Sequence, residues 1–236
     1  MKSAAAFRRA IFLKTRGLKA VLIDLDGTLA QSLPFLKQSY FDFLFQHGCQ
    51  GSDEEFQELS GPSLSQIIGI LKDRHCLDSL TEELYENYLA HLTRHYSLSV
   101  TPFPGAASLL DFLSRQGLRL SLVTSAPRSL AAAFLVRHAF DSFFEEIVSG
   151  EDVATSKPDP AVYELALTKL GLPPGAAIAI EDSRSGVQAA SSAGLDVIAV
   201  HLPPEMHNTV WGNASPTASF ADLSQVKDFI ARQILS

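Results

Sequence analysis

The sequence lacks the features that mark disulfide-rich and membrane-spanning proteins. It has only two cysteines in 236 residues, Cys49 and Cys76, and they form neither a metal-ligand spacing nor a redox pair. We therefore expect both thiols to be reduced, as in cytosolic proteins. No run of about 18 apolar residues occurs, so no segment is expected to span a membrane. Internal repeats and low-complexity tracts are also absent.

Basic residues are scarce outside the first 19 positions. Residues 1–19 hold six lysines and arginines and no acidic residue, whereas the rest of the chain holds 13 basic and 26 acidic residues. Such an acidic body argues against nucleic-acid binding, which depends on basic surface. The basic segment of residues 1–19 is compatible with an organelle-targeting segment, an arm packed on the domain or a disordered tail. We expect a cytoplasmic location, with an organelle as the alternative if residues 1–19 are a targeting segment.

The composition is typical of a globular protein with a sizeable core, since apolar residues make up 46% and charged residues 19% of the chain. A chain of 236 residues suffices for one large domain or for a domain with a large insertion. Folding therefore needs neither disulfides nor a structural metal.

Short apolar runs alternate with helical patterns from about residue 103 onward. The runs lie within residues 117–125, 144–153, 176–182 and 195–200, and a final helix is expected after residue 219. Near-continuous apolar runs are typical of parallel strands that helices cover on both faces. The repeated strand–helix units predict an α/β fold with a doubly wound, mainly parallel Rossmann-like sheet, in which ligands bind beyond the carboxyl ends of the strands.

Residues 33–102 interrupt this alternation with amphipathic helical patterns and no strand signal. The pattern predicts an inserted helical cap over residues 33–102. Residues 20–32 and 103–236 would then form the Rossmann-like core, and residues 1–19 a basic N-terminal extension.

The stretch AVLIDLDGTLAQS, residues 20–32, carries two aspartates at the end of an apolar run. Asp24 and Asp26 would lie at the carboxyl edge of the sheet, and Gly27 would permit the chain to turn. Carboxylates this close raise each other's pKa unless a cation lies between them. A divalent metal would relieve the repulsion, and oxygen ligands suit Mg²⁺.

Polar residues follow other apolar runs at matching places. They are Thr124 and Ser125 in LVTS, and Glu181 with Asp182 in IAIEDSRSG, while Lys157 in TSKPDP is expected in a loop before a helix. The predicted sheet therefore collects two acidic pairs, two hydroxyl groups and an ammonium group at one edge.

This ordered set resembles the haloacid dehalogenase superfamily of phosphohydrolases. DLDGT, VTS, SKPDP and IEDSRSG are similar to its four motifs, in order, and the resemblance covers residues 20–200. The helical insertion after the first motif resembles the cap of the subfamily that contains phosphoglycolate phosphatases and β-phosphoglucomutases.

The resemblance implies a Mg²⁺-dependent phosphatase that works through an aspartyl-phosphate. Asp24 would be the nucleophile and Asp26 the general acid and base. Mg²⁺ would be held by Asp24, the backbone carbonyl of Asp26 and Asp182, with Glu181 bound directly or through water. Thr124, Ser125 and Lys157 would bind the phosphoryl oxygens.

The resemblance also distinguishes between activities. Haloacid dehalogenases proper lack an acid at the position of Asp26, so phosphoryl transfer is favoured over dehalogenation. The β-phosphoglucomutases have a histidine and an arginine where this chain has Leu36 and Leu64, which favours a phosphatase over a mutase. A non-catalytic metal- or phosphate-binding module is the alternative from another class. The expected partner is a small phosphorylated metabolite, neither nucleic acid nor membrane, and the sequence leaves the oligomeric state open.

Overall fold

The computed structural model describes residues 17–201 and 215–234. Most of the predicted basic extension, residues 1–16, lies outside the described residues, so the expectation for it stays a prediction.

The centre of the fold is a six-stranded sheet in which every pairing of strands is parallel. The strands are β1 Ala20–Ile23, β2 Arg119–Thr124, β3 Glu146–Ser149, β4 Ala177–Glu181, β5 Asp196–Val200 and β6 Ala218–Phe220. They lie in the order β3-β2-β1-β4-β5-β6. The progression of the chain reverses direction at β1, and crevices that bind ligands in doubly wound sheets open at such a point. The predicted doubly wound α/β fold is confirmed.

Nine α-helices accompany the sheet in the part of the chain that the structure describes. They are α1 Leu33–Gln46, α2 Asp53–Glu58, α3 Leu64–His75, α4 Thr81–Leu98, α5 Ala106–Arg115, α6 Arg128–Arg137, α7 Ala161–Leu170, α8 Arg184–Ser192 and α9 Leu223–Ile234. None of these helices has both the length and the apolar content needed to cross a membrane.

Alternate residues of β1 face opposite sides of the sheet. Val21 and Ile23 belong to a buried apolar cluster that includes residues of α1, α3–α6 and α9. Ala20 and Leu22 belong to a second cluster with residues of α7 and α8. Helices therefore cover both faces, which explains why β1 is a continuous apolar run in the sequence.

Helices α1 to α4 lie between β1 and α5 in the chain. Helix α4 packs against α1, α3 and α6, so it contacts both its helical neighbours and a helix that covers the sheet. This arrangement is compatible with the predicted insertion, and the division of the chain into cap and core stays a prediction.

Strand β6 is an element that the sequence analysis did not predict. It pairs with β5, with Ala218 opposite Ile198, at the edge of the sheet. Three residues are too few for a strand periodicity to be visible in a sequence.

Candidate active site

Three neighbouring strands end in polar side chains at one edge of the sheet. Asp24 directly follows β1, Thr124 is the last residue of β2 and Glu181 is the last residue of β4. The register pairs Ile23 of β1 with Ile180 of β4, so these ends are level. The parallel sheet thereby brings together groups that are far apart in the sequence.

Lys157 contacts the ends of all three strands. Its ammonium group donates to Asp24 Oδ1 at 2.6 Å, to Glu181 Oε1 at 2.6 Å and to the carbonyl of Val123 at 3.0 Å. The residue is only 3% exposed, and buried charges require paired partners. Burial favours the neutral amine, but Asp24 and Glu181 outweigh it and raise the pKa of Lys157 above its usual value. Lys157 is therefore a fixed positive charge beside Asp24.

The chain turns sharply after β1, and Gly27 makes the turn possible. The N–H groups of residues 28–30 all donate to the carbonyl of Leu25. Gly27 has φ +85°, a left-handed conformation that glycine adopts without steric cost. A β-carbon on Gly27 would lie 2.0 Å from Asp182 Oδ2. Gly27 therefore allows both the turn and the close approach of Asp182.

Glu181 and Asp182, the second acidic pair, each accept a hydrogen bond from a hydroxyl group. Thr28 Oγ1 donates to Asp182 Oδ1 at 3.2 Å. The buried Glu181 accepts a hydrogen bond from the Tyr163 hydroxyl at 2.5 Å. A β-carbon on Gly186 would lie 2.0 Å from Glu181 Oε2. Glu181 is therefore tightly enclosed, whereas Asp182 lies against the turn after β1.

Negative charge exceeds positive charge at this edge. Asp24, Glu181 and Asp182 each offer a carboxylate oxygen, and the three oxygens all lie within 4.8 Å of one another. Burial raises the pKa of Asp24 to about 8, although Lys157 opposes the change. Burial, with Asp24 and Glu181 next to it, raises the pKa of Asp182 well above its usual value. Carboxylates this close can all stay ionised only if further positive charge is bound.

This donor set fits a divalent cation. All its side-chain ligands are carboxylate oxygens, which hard cations prefer. A single lysine contacts the cluster among the ion pairs of residues 17–201 and 215–234, so the cluster retains negative charge for an added cation to neutralise. The structure therefore contains a carboxylate cluster able to hold a divalent metal.

Asp26 contacts a residue of helix α4. The hydroxyl of Tyr96 donates to Asp26 Oδ1, although 70 residues separate the two in the sequence. Burial and the adjacent Asp26 raise the pKa of Tyr96 well above its usual value, so the hydroxyl keeps its proton. Enclosure in the site likewise raises the pKa of Asp26, and the hydrogen bonds from Ser32 and Tyr96 oppose that change.

The two hydroxyl residues after β2 differ in their contacts. Thr124 is buried, and its Oγ1 accepts the N–H of Ala126 at 3.0 Å. Ser125 Oγ donates to the carbonyl of Gly61 at 2.5 Å and lies 2.9 Å from Ser156 Oγ. The Ser125 side chain therefore links the sheet edge to the loop between α2 and α3.

A cavity of about 720 Å³ opens above this edge. Asp24, Asp26, Lys157 and Asp182 line its floor, and residues of α1 to α4 line the opposite wall. A ligand that enters the cavity therefore meets the carboxylates and the lysine together.

The structure brings together all seven residues that the sequence analysis selected. Six of them, Asp24, Asp26, Thr124, Ser125, Lys157 and Asp182, line the cavity, and Glu181 lies buried behind Lys157. Their chemical roles stay predictions. Arg128, the first residue of α6, does not line the cavity and pairs with Asp152 at 2.5 Å.

The sequence analysis did not select Tyr96 and Tyr163, which contact Asp26 and Glu181. Both occur in helical patterns, in which a buried aromatic residue usually belongs to the core. Thr28 could have been found, because it belongs to the DLDGT motif that was already selected.

The chain is similar in sequence to known phosphatases and in fold to solved structures. Hexitol phosphatase A of Escherichia coli is 32% identical over 192 residues, which cover 79% of this chain and 85% of that protein. A phosphoglycolate phosphatase of Rhodospirillum rubrum is 28% identical over 219 residues, covering 89% of this chain and 88% of the relative. Among solved structures, a putative β-phosphoglucomutase from Bacteroides vulgatus superposes with a TM-score of 0.78 and 29% identity, covering 94% of this chain and 90% of that one.

The family assignment follows from the match of residues 21–200 to the profile of the haloacid dehalogenase-like hydrolases. This segment contains all four motifs on which the resemblance was based. The chain therefore belongs to the haloacid dehalogenase-like hydrolase family.

Proposed function

We propose that this protein is a Mg²⁺-dependent phosphatase that hydrolyses a small phosphomonoester through an aspartyl-phosphate intermediate. The observation that carries the proposal is the different pairing of the two aspartates after β1. Asp24 lies against the ammonium of Lys157, and Asp26 lies against the neutral hydroxyl of Tyr96. Two carboxyl groups in different surroundings can act as nucleophile and as proton donor in the same reaction.

Asp24 is the proposed nucleophile. Lys157 holds its Oδ1 and, as a positive charge, favours the carboxylate form that attack requires. One carboxylate oxygen would form a bond to phosphorus while the bond between phosphorus and the leaving oxygen breaks. Attack by water would then release inorganic phosphate and restore the carboxylate.

Asp26 is the proposed general acid and base. Enclosure raises its pKa and so favours the protonated form that can donate to the leaving oxygen. The resulting carboxylate would then take a proton from the water that cleaves the intermediate. The hydrogen bond from Tyr96 would hold the group in place for both steps.

The metal proposed for the carboxylate cluster is Mg²⁺. Asp24, Asp182 and the backbone carbonyl of Asp26 would hold the ion, with Glu181 bound directly or through water. When bound, Mg²⁺ would supply positive charge that reduces the repulsion between the carboxylate nucleophile and the phosphate.

Thr124, Ser125 and Lys157 are the proposed phosphate-binding residues. They lie at the floor of the cavity beside Asp24, where an ammonium and hydroxyl or backbone donors can meet phosphoryl oxygens. The proposed substrate is a small phosphorylated metabolite, and the proposed location is the cytoplasm.

Hydrolysis is favoured over the mutase reaction by the wall of the cavity. Leu36 and Leu64, which stand where the mutases have cations, both line it. A mutase must hold a second phosphate and keep water from the intermediate, whereas a phosphatase needs neither. The two reactions differ in product, since only hydrolysis releases inorganic phosphate.

The test is phosphate release from a panel of small phosphomonoesters, with Mg²⁺ or with EDTA. We expect release that requires Mg²⁺ and falls by at least about a thousandfold in Asp24→Asn. Asp111→Asn is the matched control, because Asp111 is an exposed residue that pairs with Arg115 on α5. Metal binding without turnover would instead indicate a binding module, and release unaffected by EDTA or by Asp24→Asn would refute the proposed site.

A further inference from the structure

The part of the cavity wall that is formed by α1 to α4 and their loops is mostly apolar. Helices α1 to α4 and their loops contribute it, and none of the described lining residues from this part of the chain is charged. The apolar side chains include Leu36, Phe56, Leu59, Leu64, Ile67 and Leu92. The leaving group of a bound phosphoester therefore faces a hydrocarbon surface.

The lysine and arginine of the described lining come from outside helices α1 to α4. Lys157 is already held by two carboxylates, and Arg184 lies exposed at the first turn of α8. A second phosphate or a carboxylate on the substrate would meet leucine and phenylalanine side chains on the wall. Burying such an anion without a partner is strongly unfavourable.

Sugar leaving groups are also a poor match to this wall. Each hydroxyl that leaves water must find a hydrogen-bond partner, or its desolvation weakens binding. The polar side chains that α1 to α4 and their loops contribute to the wall are Gln57, Ser60, Tyr88 and Tyr96, and the Tyr96 hydroxyl already donates to Asp26. The three remaining side chains are few for the several hydroxyls of a hexitol or a hexose.

We infer that the enzyme prefers phosphomonoesters of apolar alcohols, with an alkyl or aryl leaving group of several carbons that packs against α1 to α4. This inference rests on the proposed phosphatase activity and specifies its substrate class. The volume of about 720 Å³ is large enough for a leaving group beyond the phosphoryl group, since ligand pockets commonly measure about 300–1,000 Å³.

The experiment compares kcat/KM for ethyl, butyl and hexyl phosphate with kcat/KM for phosphoglycolate and glucose 6-phosphate, all with Mg²⁺. Each buried methylene contributes about 0.8 kcal/mol, so we expect kcat/KM to rise roughly fourfold per methylene. Hexyl phosphate should exceed both polar esters by at least about tenfold.

Variants of the wall test whether it causes the preference. Ile67→Asn should lower the ratio of kcat/KM for hexyl over ethyl phosphate by at least about fivefold, because a polar side chain then faces the alkyl chain. Ile70→Asn is the matched control on the same helix, since Ile70 is also half-buried but does not line the cavity. Leu36→Gln on α1 provides an independent variant if Ile67→Asn does not fold.

The outcomes separate this inference from the proposed function. Mg²⁺-dependent release with a flat alkyl series, or with a preference for phosphoglycolate that Arg184→Gln removes, would overturn the inference and leave the phosphatase proposal in place. Release from none of the esters would overturn both.

Discussion

At the scale of single residues, Gly27 shows how closely backbone and chemistry are linked in this site. Its left-handed conformation turns the chain after β1, and its missing side chain leaves room for Asp182. Any other residue would strain the turn and would also displace a carboxylate of the proposed metal site.

We predict that Gly27→Ala lowers kcat/KM by at least about tenfold and raises the Mg²⁺ concentration needed for half-maximal activity. The added methyl group would lie 2.0 Å from Asp182 Oδ2, so this carboxylate must move. The measurement is a Mg²⁺ titration of phosphate release.

Gly48→Ala is the control for this prediction. Gly48 also has a positive φ, +69°, but a β-carbon there meets no atom within 4 Å. Both variants should lose about 1–2 kcal/mol of stability from backbone strain, and only Gly27→Ala should require more Mg²⁺. Equal Mg²⁺ requirements in the two variants would contradict the proposed role of Asp182.

The residues of the candidate site were predictable to the extent that they follow apolar runs in the sequence. Asp24, Thr124 and Asp182 could be placed at one edge because parallel strands end on the same side. The contact of Tyr96 with Asp26 could not be predicted, since it depends on how α4 packs rather than on any local pattern.

At the scale of elements, helix α4 packs against α1 and α3 and also contacts the turn after β1 through Tyr96. Arg137 of α6 donates to the carbonyl of Tyr96 at 2.9 Å and to that of Val100 at 3.1 Å. These bonds hold the end of α4 against the sheet side of the molecule. The position of α4 thereby sets the position of the hydroxyl that contacts Asp26.

We predict that Tyr96→Phe lowers kcat/KM for an alkyl phosphate by about tenfold or more, because Asp26 loses the hydrogen bond that positions it as an acid. The loss for p-nitrophenyl phosphate should be less than about threefold, since nitrophenolate leaves without being protonated. The ratio of the two kcat/KM values is the measurement, because it reports the step in which the leaving group departs.

Tyr85→Phe is the control on the same helix. The hydroxyl of Tyr85 donates to Glu151 at 3.0 Å, away from Asp26. Its removal should leave the ratio unchanged. A loss in Tyr96→Phe that is equal for both substrates would show a packing effect rather than a positioning effect.

The long elements were predictable and the shortest strand was not. The apolar periodicity of α1, α3 and α4 extends over several turns, so their existence follows from the sequence. Strand β6 has three residues and forms because β5 offers it an edge to pair with. Pairing of this kind is a property of the sheet, so it leaves no local signal.

At the scale of the whole molecule, the carboxylate cluster connects metal binding to stability. Asp24 and Glu181 belong to adjacent strand ends, and Asp182 follows Glu181. Their mutual repulsion acts against the folded state when no metal is bound, because the unfolded chain separates them.

We predict that Mg²⁺ raises the Tm of the wild type by a few degrees relative to EDTA, because the ion binds only the folded state. Asp182→Asn should raise Tm in EDTA, since burial and the nearby acids already disfavour the charged form of Asp182. The same variant should lose the increase in Tm on addition of Mg²⁺. Thermal unfolding of both proteins with and without Mg²⁺ is the measurement.

A lower Tm for Asp182→Asn in EDTA would contradict this account. It would mean that the hydrogen bond from Thr28 to Asp182 outweighs the repulsion between the carboxylates. Asp111→Asn is again the control, because Asp111 pairs with Arg115 on α5, away from the carboxylate cluster. Asp196 is less suitable for this purpose, since it accepts a hydrogen bond from Thr217 that the substitution would disturb.

The position of α1 to α4 between β1 and β2 in the chain also affects the order in which the sheet can assemble. Ala20 of β1 pairs with Arg119 and with Ala177, so nearly 100 residues must follow β1 before its first partner strand is synthesised. During that time the helical residues between them can form local contacts, whereas β1 cannot form the pairings that bury it. The strand that leads to Asp24 is therefore made before the rest of the sheet but is paired late, so its apolar surface stays unburied until β2 is available.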